Sequence, residues 1–258
     1  MTFLKTQTDI RGVTTITFDR AEAANAMNRE FIDELFMALN KLRSNTRILV
    51  IAGNGKHFSA GADINWMKQS QNLSDEQNHA DAMALSDMLD ELDRFPSPTI
   101  ARIHGAALGG GTGIASCCDI VVAAENARFA FTEARLGIIP AVISPYAIAA
   151  IGTQAARRYF LTGEQIDAIE AYRLGLVHDV CSTDNLDIRV EEKISALLAC
   201  GRRAQASAKL LIADYKTPRI DTEFRTRLAE RLASIRTGEE AQEGLSAFIE
   251  KRTPDWPI

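Results

Sequence analysis

The sequence predicts an α/β fold, a mainly parallel sheet followed by a helical C-terminal region. Strand and helix alternate along the first half. The apolar run 48–52 (ILVIA), Thr99–Ile103 and Ile120–Ala124 read as strands, separated by stretches of helical periodicity, the pattern of βαβ-type or spiral layering. From residue 184 onward every periodic segment is helical. The 258 residues suffice for one large domain, or one domain with a helical appendage.

Residues 3–9 and 12–19 read as two strands around the Arg11-Gly12 turn, with Thr14, Ile16 and Phe18 on one face. Residues 23–27 form a loop, and Asn28 can cap the helix 29–43. That helix buries Phe31, Leu35, Leu39 and Leu42, at spacings of four, four and three. The run 48–52 is apolar throughout, so it is a strand covered on both faces, ended by Gly53, Asn54 and Gly55. A small-residue loop, 57–63, follows, and Asp63 opens a short helix. Helix 75–94 carries Leu85, Met88, Leu89 and Leu92 on its apolar face and stops before Pro96 and Pro98.

Thr99–Ile103 then feeds a turn at Gly109, Gly110 and Gly111, a short helix 112–117, and the buried strand Ile120–Ala124. Beyond Pro140 the pattern gives helices over 146–151, 153–161 and 167–174, a short strand over 177–181, and helices over 184–200, 203–215, 221–236 and 239–251. Phe224, Leu228, Leu232 and Ile235 make one stripe, and Leu245, Phe248 and Ile249 another. Their own core or a neighbouring subunit would cover them. A soft boundary near residue 200 divides a core, 1–200, from a helical region, 201–258.

Composition narrows the class. Apolar residues are 46% and charged residues 24% of the chain, as in ordinary globular proteins. The net charge of −5, with no basic block, argues against nucleic acid and anionic membrane as partners. Cys117, Cys118, Cys181 and Cys200 lack metal spacing and read as reduced, buried thiols of a cytoplasmic protein. The N-terminal MTFLKTQTDI lacks the pattern of a signal peptide, no apolar run approaches the ~20 residues of a membrane span, and the terminal DWPI is no targeting tag.

Chemistry has three candidate seats. Ser59, Ala60, Gly61 and Ala62 leave backbone N–H groups accessible before a helix start, which suits an oxyanion; the plain alternative is a tight strand-to-helix connection. The glycine triplet has the same two readings. A dinucleotide turn fails, because Ile114 stands where its third glycine belongs. Glu133 lies among Phe129, Phe131, Leu136 and Ile138, and a carboxylate in apolar surroundings is tuned for proton transfer near neutral pH. The plain alternative is a solvated glutamate with Thr132 as cap. Histidines 57, 79, 104 and 178 show no metal spacing, Ser59 and Ser116 lack a nucleophile elbow, and the carboxylates of 87–93 read as a wet helix face.

These residues resemble a family. Asn25-Ala26-Met27, Phe58-Ser59-Ala60-Gly61-Ala62-Asp63, His104-Gly105 with Ala107-Leu108-Gly109-Gly110-Gly111, Cys118-Asp119, Phe131-Thr132-Glu133, Leu136 to Pro140, Leu161-Thr162-Gly163 and Ala247 to Arg252 follow in order the pattern of the crotonase superfamily, the enoyl-CoA hydratases and isomerases. The resemblance implies a crotonase-like ββα spiral that binds acyl-CoA, and a C-terminal helical region that drives trimers, often paired into hexamers. It implies an acyl-CoA thioester whose carbonyl oxygen accepts N–H bonds from Ala60 and Gly110, with Glu133 as acid and base. Gly61, Ala62 and Asp63 would line the adenine and pantetheine path, and Lys251 would reach a CoA phosphate on a neighbouring subunit. Coenzyme A is then part of the substrate, with no further cofactor and no metal.

The chain departs from the best-known hydratases twice. They carry a second catalytic glutamate where this chain has Gly113, and a glycine-rich run where it has Ala141-Val142-Ile143-Ser144-Pro145. One carboxylate can still protonate Cα during hydration, or shuttle a proton between Cα and Cγ as an isomerase. The combination resembles the bacterial methylglutaconyl-CoA and isohexenylglutaconyl-CoA hydratase branch. A carboxylated acyl group would want a cation, and Arg135, two positions from Glu133, would face elsewhere. RNA binding or scaffolding by a non-enzymatic member of the fold runs against the acidic charge.

Overall fold

The computed structural model describes residues 2–215 and 220–256; of the terminal DWPI, Pro257 and Ile258 lie outside the described residues. The first half follows the expected order: β1 (Leu4–Thr8), β2 (Val13–Phe18), α1 (Arg29–Leu42), β3 (Ile48–Gly53), α2 (Ile64–Ser70), α3 (Asp75–Asp93) and β4 (Thr99–Ile103). Then come β5 (Ala106–Leu108), α4 (Gly110–Cys117), β6 (Ile120–Ala124), β7 (Arg128–Ala130) and a 3-10 turn, Glu133–Leu136. The second half comprises α5 (Ser144–Thr162), β8 (Ile166–Asp167), α6 (Ala168–Leu174), β9 (Asp179–Cys181), α7 (Leu186–Leu198), α8 (Arg202–Asp214), α9 (Thr222–Arg236) and α10 (Glu239–Glu250).

Six strands form the main sheet in the order β1-β2-β3-β4-β6-β9, parallel except for the β1–β2 hairpin. A second, three-stranded sheet, β5-β7-β8, stands beside it. All six residues of β3 are buried, as expected of a strand covered on both faces. One face packs on α1 and α3 through Phe31, Leu35, Leu39, Met88, Leu89 and Leu92. The other packs on α7 through Leu186, Val190 and Ile194. Phe18 meets Phe31 and Phe58 at ring-centroid distances of 5.0 and 5.1 Å, pairs worth about 0.5–1.5 kcal/mol each beyond their burial.

The structure corrects the sequence reading where the second sheet begins. The chain does not run straight from β4 into the glycine turn. Gly105, at φ +58°, takes a left-handed bend, and β5 leaves the main sheet to pair with β7. Strands of two or three residues, such as β7 and β8, carry no periodic signal, so the sequence did not show them. Helix α4 starts at Gly110, two residues before the expected start, with Gly109 at the cap position. The break expected at Gly152 is a kink (φ 74°, ψ 162°) within α5. Cys117 and Cys118 are buried, but Cys200 is exposed at the end of α7, against the expectation of burial throughout.

From Arg202 on the described chain is helical. The α8 start is tied down by Glu240 of α10, whose carboxylate accepts from the Arg203 and Ala204 amides at 2.9 and 2.8 Å. Lys209 joins α8 to the core through Asp119 at 2.6 Å. Leu245, Phe248 and Ile249, read as an apolar stripe, are exposed on α10, with Phe248 83% accessible.

Candidate active site

The site is built where three backbone segments meet. Ala24 and Asn25 both take left-handed conformations (φ 51° and 53°), reversing the chain just before α1. Asn25 is fully buried. Its side-chain amide donates to Asn54 O (2.9 Å) and His57 O (2.8 Å), and its Oδ1 accepts from Arg20 N (2.9 Å). Ser59 Oγ donates back to Asn25 O at 2.8 Å. Asn tolerates this backbone region better than other non-glycine residues. Asn25→Ala removes three part-buried hydrogen bonds to Arg20 N, Asn54 O and His57 O, each contributing about 0.5–1.5 kcal/mol; the loss of unfolding free energy in a urea titration measures it.

Loop 59–63 is laced on both sides. Met27 N donates to Gly61 O (2.7 Å) and Asp63 N to Met27 O (2.8 Å). Across the loop, Ser59 N donates to Ala106 O and Leu108 N to Ser59 O, joining it to β5. Gly61 (φ +89°) is pressed so close to β5 that an added Cβ would lie 2.9 Å from Leu108 O.

This lacing decides which amide is spare, and it corrects the sequence reading. The Ala60 N–H, expected to face an oxyanion, donates to Ala24 O at 2.9 Å. Gly61 N reaches Ser59 Oγ at 3.3 Å. The Ala62 N–H has no hydrogen-bond partner among the described residues. The Gly110 amide, first of α4, is likewise unpaired, as first-turn amides of helices are. Gly109 N is satisfied by Ala130 O at 2.8 Å. Of the two amides expected to hold the oxyanion, Gly110 is therefore spare and Ala60 is not; the spare amide of loop 59–63 is that of Ala62.

Glu133 completes the cluster. A Cβ built on Gly109 would lie 3.3 Å from Glu133 Oε1, so the carboxylate sits against the glycine turn. Its Oε2 is buried and, among the described residues, has no hydrogen-bond partner. Burial pushes this carboxyl above the ordinary glutamate range, and its own backbone amide offsets only part of that. Phe129 and Phe131 are buried as expected, but Leu136 and Ile138 are 57% exposed, so only one side of the setting is apolar. Thr132 makes no capping bond and Oε2 is buried, so the capped, fully solvated alternative does not hold.

The other expected site residues divide. Asp63 is buried and committed: its carboxylate caps α2 through the Asn65 and Trp66 amides (2.6 and 3.2 Å) and pairs with Arg20 Nη1 at 2.7 Å. Burial alone would raise its pKa, but those amides and the guanidinium hold it below the usual carboxylate value. Its side chain thus holds the loop in place. Arg20 and Asp63 also wall a cleft of about 410 Å³ between α1, α2 and α3; Ala62, Gly110 and Glu133 do not line it. Lys251 is exposed in a left-handed C-cap of α10 (φ 55°), which packs on α8 and α9, so the structure does not bring it to the other site residues. Arg135 leans on Gly163, whose added Cβ would meet the Arg135 Cγ and Nε at 3.0 Å. Among the described residues no three His, Cys, Asp or Glu side chains converge as metal ligands would, and no helix is long and apolar enough to cross a membrane.

Spiral sheets, spare amides on two neighbouring loops and one carboxylate beside them are the arrangement of a crotonase-like fold. The chain belongs to the enoyl-CoA hydratase/isomerase family, whose model matches residues 8–257. It is 35% identical over 249 residues to a 2,3-dehydroadipyl-CoA hydratase of Escherichia coli, covering 93% of each chain. The crystal structure of an enoyl-CoA hydratase from Shewanella pealeana superposes with a TM-score of 0.95 at 42% identity, covering 99% of this chain and 96% of that one. Pseudomonas aeruginosa AtuE gives a TM-score of 0.94 at 35% identity over 98% of each chain. The chain is thus an enzyme of the enoyl-CoA hydratase kind.

Proposed function

We propose that this enzyme adds water across the double bond of a 2-enoyl-CoA, with Glu133 as its proton-transfer group and the Ala62 and Gly110 amides as donors to the thioester oxygen. The observation that carries the reading is the buried Glu133 Oε2 beside the glycine turn, without a hydrogen-bond partner among the described residues. As water oxygen bonds to Cβ, its proton passes to Glu133 and electron density moves to the thioester oxygen, giving an enolate. The two amides hold that charge. The enolate then collapses, and Glu133 returns the proton to Cα. Atoms balance with one carboxylate, and no cofactor beyond the coenzyme A of the substrate takes part.

The acyl group is proposed to be branched and methylglutaconyl-like. Support comes from the sequence pattern around Gly113 and Pro140–Pro145, and from a relative named for a substrate that also carries a free carboxylate. Arg135, engaged at Gly163, is not the cation for that carboxylate. Residues 1–200 form the acyl-CoA-binding core in this reading and 201–258 the assembly region of a cytoplasmic homotrimer or hexamer. The exposed Leu245, Phe248 and Ile249 support that assembly, in which Lys251 reaches a CoA phosphate on the neighbouring subunit.

A second reading, Δ3,Δ2-enoyl-CoA isomerisation, is favoured by one feature: Gly113 offers no second carboxylate to hold water. Incubation with methylglutaconyl-CoA, 2,3-dehydroadipyl-CoA, crotonyl-CoA and a 3-enoyl-CoA in ¹⁸O-water separates the two. Hydration puts one labelled oxygen on Cβ. Migration of the double bond in the 3-enoyl substrate, with no label entering any product, overturns it in favour of isomerisation.

A further inference from the structure

The two departures from the family pattern lie 30 residues apart in sequence, yet they touch. Gly113 is the fourth residue of α4, one turn beyond Gly109, to whose carbonyl its amide donates at 3.0 Å. A Cβ added at Gly113 would lie 2.5 Å from Ile143 Cγ2 and 3.0 Å from Ile143 Cβ, closer than real side chains approach. Ile143 is 2% exposed and sits where the chain enters α5. The glycine at 113 is therefore not an empty position awaiting a carboxylate. Its side-chain space is already filled.

From this contact we infer that Ile143 is a specificity-determining residue: it occupies the volume that a second acid at 113 would need, and so confines the site to one-carboxylate chemistry. The inference rests on Glu133 being the proton-transfer group. It explains why both departures occur in one chain. With a glycine at 143 there would be room for a longer side chain at 113; with isoleucine at 143, only glycine fits at 113. The wall that would carry the second acid is hydrocarbon, so no second group titrates there and no second carboxylate orders the attacking water.

A double-mutant cycle tests this. Gly113→Glu alone drives its side chain into Ile143, so a lower Tm and hydration no faster than that of the parent are expected. Gly113→Glu combined with Ile143→Gly removes the clash. The double variant is expected to recover Tm relative to Gly113→Glu, to exceed it at least tenfold in kcat/KM, and to show a second ionisation in its pH profile that Ile143→Gly alone lacks. An alanine cycle keeps the test open if the double variant does not fold. Gly113→Ala is expected to lower Tm, although alanine ordinarily stabilises a helix interior, and to lower it less when Ile143 is also alanine. Additive effects in the alanine cycle, or a Gly113→Glu single variant equal to the double in Tm and pH profile, overturn the inference. Loss of activity in Glu133→Gln alongside either result leaves the Glu133 reading standing, and an active Glu133→Gln sinks that reading separately.

Discussion

Glu133→Gln is expected to lower kcat for hydration by about 10²–10⁴-fold, the range for removal of a positioned acid–base group, while acyl-CoA ester binding persists. The amide keeps the shape of the side chain and removes only its ability to take and return a proton. The same substitution is expected to raise Tm once the pH exceeds the folded-state pKa of Glu133. Burial lifts the folded-state pKa of Glu133 above its unfolded value. Folding therefore favours the protonated form, and that contribution is complete below the unfolded pKa and is lost as pH rises through the folded one. Above that folded pKa the native protein holds an ionised carboxylate with a buried oxygen that has no hydrogen-bond partner among the described residues. Glutamine removes this burden, and its advantage over the parent should fade toward pH 4. A variant less stable and fully active would show that Glu133 serves packing instead. Activity gained at the cost of stability is a familiar trade at enzyme sites.

The second large effect separates two amides two residues apart. Replacing Ala62 by its α-hydroxy analogue, lactate, turns the amide into an ester and deletes one N–H without altering the side chain. Loss of an oxyanion donor costs about 10²–10³ in kcat; the Ala62 N–H has no partner among the described residues, so Tm should fall only through the weaker ester acceptor at Gly61 O, which holds Met27 N. The same exchange at Ala60 deletes the bond to Ala24 O. There stability should fall by about 0.5–1.5 kcal/mol with kcat little changed. Stopped-assay kinetics and thermal unfolding on both proteins would show the crossed pattern; the reverse pattern would return the role to Ala60.

The difference between Ala60 and Ala62 marks where sequence reasoning reached its end. The small-residue loop, the glycine turn and Glu133 were legible as candidates from local composition, and their order along the chain, matching a family pattern, chose the functional reading over the plain one. Which amide of the loop stays free depends on the Ala24 carbonyl, and its position follows from two successive left-handed residues, Ala24 and Asn25, held by a buried side-chain network. No periodicity reports that. Likewise β3, β4 and β6 were visible as apolar runs, but β7 and β8 are too short to carry a pattern and exist because Gly105 turns β5 out of the main sheet. Gly113 was recognised as a missing acid, yet the reason for the glycine lies in Ile143, across the packed interface between α4 and α5. The ion pair of Asp63 with Arg20 was likewise not legible, because Arg20 lies 43 residues away in sequence.

The central claim, that one buried carboxylate carries the proton chemistry, is tested most directly by the pH dependence of kcat/KM for hydration. Glu133 must be ionised to take the proton of water, so the rate should fall on the acid side through a single ionisation whose midpoint lies above the ordinary glutamate value of 4.5. An acid limb with two ionisations, or a single one at or below 4.5, would contradict it.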